Sequence, residues 1–188
     1  PENILPTPGG VAALELALRL ERGRVCVQAP TFGEYAERAR ALGRDVIVDP
    51  EGCRPGDTAV ICNPNNPTGR ALAREEVLSI SEGLRRRDVA LIVDEAFIDY
   101  CPGHSVRGDV RDCFRVVGSL TKILCIPGVR LGYVCASARE IAAMEKLAPP
   151  WALNAFAAAV AAELPRHMDE MRRDAIENSA RRDRFAAR

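Results

Sequence analysis

Lysine is scarce in this chain: of 26 basic residues only Lys122 and Lys146 are lysines, which leaves 26 − 2 = 24 arginines. Arginine stays protonated and cannot act as an amine nucleophile, so each remaining lysine is a candidate for chemistry that only lysine performs. Lys146 follows Ala142-Ala143-Met144-Glu145 on a helical pattern and reads as surface charge. Lys122 has different surroundings. Long apolar runs are also missing. Nothing approaches the roughly 20 residues that span a bilayer, and Pro1-Glu2-Asn3-Ile4 lacks the basic and apolar regions of a signal peptide. A cytoplasmic protein with no membrane partner is expected. Neither sign of charge forms a block among 26 basic and 26 acidic residues, so no nucleic-acid partner is expected. The longest basic run, Arg85-Arg86-Arg87, closes a helical pattern, where positive charge suits the helix dipole. The seven cysteines include no Cys-x-x-Cys pair and no histidine placed to complete a zinc site, so they read as reduced thiols and no metal site is expected. A Gly-x-Gly-x-x-Gly fingerprint and a P-loop lysine are both absent, which argues against a nucleotide-binding domain.

What is present is a regular alternation. Strand-length apolar runs fall near 24–28, 45–48, 59–62, 90–93, 115–118 and 131–136. Helical periodicity falls near 11–21, 35–42, 74–86, 139–147, 153–163 and 166–188. That order predicts an α/β fold, a three-layer αβα arrangement around a mostly parallel sheet. At 188 residues one domain with a sizeable core is expected, since about 150 residues already bury roughly 70% of their unfolded surface. The last helical pattern, Ala180-Arg181-Arg182-Asp183-Arg184-Phe185, has no capping Gly or Pro, and the chain reads as a piece of something longer.

In such a sheet a ligand sits beyond the carboxyl ends of the strands. The segments there are Pro30-Thr31-Phe32, Asn63-Pro64-Asn65-Asn66-Pro67-Thr68-Gly69, Asp94-Glu95-Ala96-Phe97 and Ser119-Leu120-Thr121-Lys122. Pro127-Gly128-Val129-Arg130-Leu131-Gly132-Tyr133 follows the last of them. In this order the motifs resemble the fold-type I pyridoxal-phosphate (PLP) enzymes, the class I/II aminotransferase superfamily, over essentially the whole chain. The resemblance implies that residues 1–188 are the PLP-binding large domain of the aspartate aminotransferase fold, with the small domain outside the chain.

It also implies a role for each motif residue. Lys122 would hold PLP as a Schiff base and act as general base and acid. Asp94, ending an apolar strand, would keep the ring nitrogen protonated. Asn66 would donate to the phenolic oxygen, and Phe32 would stack on the ring. Gly9, Gly10 and Val11 at a helix start would receive the phosphate through backbone N–H groups, with Ser119, Thr121 and Arg130 completing the cradle. Val11 departs from the family pattern, which often has Ser or Thr there. Tyr35 reads as packing, and neither His104 nor His167 is given a role. The expected partners are a small amino acid substrate, phosphorylated, and a second copy of the chain in a homodimer.

Within the superfamily two branches are closest. Histidinol-phosphate aminotransferases carry Tyr where this sequence has Phe97. Phe97 together with Pro149-Pro150-Trp151-Ala152-Leu153-Asn154 looks like threonine-phosphate decarboxylase of cobalamin biosynthesis. Transamination of histidinol phosphate or a related amine is the alternative, and a non-catalytic PLP-binding regulatory domain is a remote one.

Overall fold

A computed structural model describes residues 2–187. The strands are β1 (Ile4–Thr7), β2 (Val25–Val27), β3 (Val46–Ile47), β4 (Thr58–Cys62), β5 (Ala90–Asp94), β6 (Phe114–Ser119) and β7 (Gly132–Cys135). The helices are α1 (Gly10–Leu18), α2 (Glu34–Ala41), α3 (Arg74–Arg85), α4 (Leu120–Ile123), α5 (Ala138–Glu145) and α6 (Ala155–Ala186). They build a 7-stranded sheet in the order β1-β7-β6-β5-β4-β2-β3. Strands β3, β2, β4, β5 and β6 are parallel, and β7 runs against both β6 and β1.

Strict side-chain alternation divides the sheet between two cores. From β5, Ile92 packs under α1, α2 and α5 beside Leu14, Leu18, Tyr35 and Met144, while Leu91 and Val93 pack on the other face with Val77 and Leu84 of α3. The layering is therefore αβα, as the alternation of the sequence predicts. A third, smaller cluster seats the start of α6 on Val129 and Leu131 through Ala157, Val160 and Leu164.

Two expectations change. Strand β1 is not in the sequence reading, because four residues containing Pro6 carry little strand signal. Its register, Leu5 opposite Val134, makes it a short edge for β7. The patterns at 153–163 and 166–188 are one helix, α6, which runs through Pro165. Pro165 is exposed, so water can reach the carbonyl that proline leaves without a donor. Arg188 lies outside the described residues.

One buried charge cluster braces the sheet from behind. The Arg115 guanidinium is fully buried and pairs with Glu21 at 2.5 Å and with Glu140. Glu21, Cys113 and Glu140 bring ligand-capable atoms within 4.8 Å of one another, yet Arg115 already supplies the positive charge there. No helix among the described residues is long and apolar enough to cross a membrane.

Candidate active site

Because β7 is antiparallel to β6, the carboxyl ends of β1, β2, β4, β5 and β6 and the amino end of β7 share one edge of the sheet. The residues that the sequence offers for the cofactor lie along that edge, in two groups.

The first group surrounds the start of α1. Thr7, Gly132 and Ser119 are register neighbours across β1, β7 and β6, and α1 begins directly after β1. Gly9 caps the helix at φ 95°, a backbone conformation that glycine adopts without strain, and no side chain caps it. The first-turn N–H groups, those of Val11 included, therefore have no acceptor further back along the helix. The approach leaves no room for side chains: a Cβ on Gly132 would lie 2.5 Å from the Gly9 carbonyl carbon and 2.7 Å from the Gly10 nitrogen. A Cβ on Gly10 would come within 3.2 Å of the Ser119 Cβ, and one on Gly9 would overlap the Arg130 guanidinium.

Arg130 takes the left-handed conformation, φ 55° and ψ 59°, after the turn Pro127–Val129. Its guanidinium donates to the carbonyls of Pro127 (3.0 Å) and Pro8 (3.5 Å), neutral partners that leave its charge available. The Ser119 and Thr121 hydroxyls, 2.8 Å apart, close the group. Helix N–H groups without an acceptor, an arginine and two hydroxyls, gathered where glycines keep side chains out of the way, suit an anion such as a phosphate.

The second group surrounds Asp94, which ends β5 and is buried. Its Oδ1 accepts the Ala96 N–H at 2.9 Å and its Oδ2 accepts the Tyr35 hydroxyl at 2.7 Å. Burial raises this carboxyl above the ordinary aspartate range, against the opposing pull of the Tyr35 phenol, the Ala96 N–H and the Lys122 charge. Burial likewise raises the Tyr35 phenol. Cys62 stands opposite Asp94 in the β4–β5 register, and burial followed by the Asp94 charge pushes its thiol up to about 11.

Lys122 lies on α4, one turn beyond Ser119, with its Nζ 5.7 Å from the centroid of the Phe97 ring. Phe32 is half-buried and meets Tyr35 edge to face, ring centroids 5.6 Å apart. Asn66 sits in the loop after β4, which is pinned at both ends. Asn63 exchanges hydrogen bonds with Leu72, while Asn65 accepts the Thr31 hydroxyl at 2.7 Å and donates to Pro30. Beyond Asn66 opens a cleft of about 470 Å³ lined by Pro67, Phe97, Tyr100, His104 and, from α6, Arg182.

Two residues differ from their sequence reading. Tyr35 is a direct partner of Asp94 as well as core packing, a contact between residues 59 apart that no local pattern announces. His104 reaches the cleft and holds its Nδ1 2.8 Å from the Leu72 carbonyl. Trp151, by contrast, is 94% exposed and does not line the cleft.

The layered αβα unit has the aspartate aminotransferase fold. The chain superposes on an L-threonine-O-3-phosphate decarboxylase from Porphyromonas gingivalis with a TM-score of 0.80 at 28% identity, covering 88% of this chain and 56% of that one. Residues 1–188 match the Aminotransferase class I and II family, and the chain belongs to that family. It is 37% identical over 157 residues to a threonine-phosphate decarboxylase of Sinorhizobium sp, covering 80% of this chain and 47% of the relative. It is 32% identical over 183 residues to the histidinol-phosphate aminotransferase of Aeromonas salmonicida, covering 87% and 51%. The chain thus spans about half the length of the curated relatives it matches.

Proposed function

We propose that the full-length protein is a PLP-dependent enzyme acting on a phosphorylated amino acid, and specifically a threonine-phosphate decarboxylase of cobalamin biosynthesis. The observation that carries the reading is the joint position of Lys122, the buried Asp94 and the Arg130–Gly9 cradle along one edge of the sheet. An anion cradle at one end and a buried carboxylate at the other fit a cofactor with a phosphate and a ring nitrogen. When bound, PLP supplies an electron sink for the electrons released at the substrate's α-carbon.

The chain's own residues divide the remaining work. Gly9, Gly10, Val11, Ser119, Thr121 and Arg130 hold the phosphate. Asp94 holds a proton on the ring nitrogen by electrostatic pairing. Phe32 covers the ring face and excludes water, and Asn66 donates to the phenolic oxygen. Lys122 holds the cofactor covalently and moves a proton at the substrate α-carbon.

The decarboxylase reading is favoured by the 37% identity to a threonine-phosphate decarboxylase and by Phe97, whose ring has no hydroxyl to offer the phenolic oxygen. Transamination of histidinol phosphate is the second reading, favoured by the longer match to an aminotransferase. Residues 1–188 would then be the large domain, with the small domain and a homodimer partner completing a cytoplasmic enzyme. The test gives the full-length protein threonine phosphate with no keto-acid acceptor. Release of CO₂ and aminopropanol phosphate supports the decarboxylase. Conversion of histidinol phosphate to its keto product with 2-oxoglutarate, without CO₂ release, would replace it with the aminotransferase.

A further inference from the structure

We propose that Tyr35 is a positioning residue for Asp94, its hydroxyl fixing the plane of the carboxylate that faces the cofactor ring; this rests on the reading of Asp94 given above. Each carboxylate oxygen takes one donor, Oδ1 from the Ala96 main chain at 2.9 Å and Oδ2 from Tyr35 on α2 at 2.7 Å. Ala96 belongs to the chain just after β5, so it alone would let the carboxylate turn about its side-chain bonds. A second donor from another element removes that freedom and leaves one lone pair per oxygen for the ring.

Tyr35 is itself held in place. Its ring is fully buried among Leu14, Leu18, Ala39 and Cys62, and Phe32 meets it edge-on. The groups facing Asp94 are few: Tyr35 from α2, the Cys62 thiol from β4 and Lys122 from α4. The adjoining residue of β6 is Val117, and the buried face of α1 is apolar. In such surroundings a carboxylate stays ionised only through the donors it is given, and Tyr35 is the one supplied by a side chain. The same helix start thus carries the ring-facing Phe32 and the hydroxyl that orients the ring's counter-charge.

Tyr35→Phe removes the hydroxyl and keeps the buried ring, so it separates positioning from packing. PLP affinity is measured for the full-length wild type, Tyr35→Phe, Asp94→Asn and the double variant across acid and neutral pH. Loss of a hydrogen bond to a charged group should weaken PLP binding of Tyr35→Phe about 10-fold. The acid limb of its affinity profile should move to higher pH, and the same change in the Asp94→Asn background should have no further effect. Site-specific 3-fluorotyrosine at position 35, a stronger donor of nearly the same shape, should move that limb to lower pH even if Tyr35→Phe fails to fold. An unmoved profile in both variants, or an equal loss with and without Asp94, would overturn the role of Tyr35. Failure of the wild type itself to bind PLP would instead overturn the proposed function and the inference resting on it.

Discussion

Gly9 and Arg130 occupy one hollow between them: a Cβ on Gly9 would overlap the Arg130 guanidinium, and the Gly9 φ of 95° independently disfavours any other residue. The cradle therefore depends on glycine for space as well as for backbone shape. Gly9→Ala should displace Arg130 and lower PLP affinity by at least about 10-fold, with backbone strain of order 1–3 kcal/mol added to the lost phosphate contact. Titration of apoprotein with PLP measures this directly. Wild-type affinity would show that the phosphate sits elsewhere.

Gly132→Ala tests the same geometry from the sheet side. Its Cβ would lie 2.5 Å from the main chain of Gly9, and main chain has no flexible end to move aside. A loss of about 1–3 kcal/mol in unfolding free energy is expected, as for overpacking a filled site, together with weaker PLP binding. Urea unfolding of apoprotein and PLP titration read the two effects separately.

Asp94→Asn should uncouple stability from function. An asparagine there can still accept the Ala96 N–H and can donate to the Tyr35 oxygen, so no buried group is orphaned. Burial raises the folded-state pKa of Asp94 above its unfolded value, so its ionisation opposes folding. That cost is absent below the unfolded pKa, grows as pH rises towards the folded one, and is constant above it. The apo variant should consequently match or exceed wild-type Tm at neutral pH and lose its advantage in acid, while turnover falls by several orders of magnitude. A Tm deficit that persists at neutral pH would contradict this balance.

The Arg115 cluster gives a purely structural prediction. Arg115→Ala leaves Glu140 buried without its cation and should cost about 3–5 kcal/mol. Arg115→Ala with Glu140→Ala should cost less than the sum of the single changes. Additive losses in a double-mutant cycle of chemical unfolding would show that the two charges are not coupled.

Much of this molecule was legible before its structure. Central parallel strands are buried on both faces, so β4, β5 and β6 stand out as continuous apolar runs such as Ala90-Leu91-Ile92-Val93. The residues just after them name the sheet edge. Strand β1 escaped because an edge strand of four residues with a proline needs only the partner it finds in β7, 125 or more positions away. The direction of β7 was equally hidden, since periodicity carries no sign. Pro165 misled because its cost depends on exposure, which a sequence does not state. Tyr35 illustrates the limit at the site itself: its position beside Phe32 is local, but its bond to Asp94 exists only once α2 packs on the end of β5.

The central claim is that Lys122 is the lysine that carries the cofactor. The most direct measurement is borohydride reduction of the PLP-loaded full-length protein, followed by peptide mapping of the pyridoxyl group. The group is expected on Lys122, beside Phe97 and beyond the buried Asp94. Label on Lys146, or no label with PLP bound, would contradict the assignment.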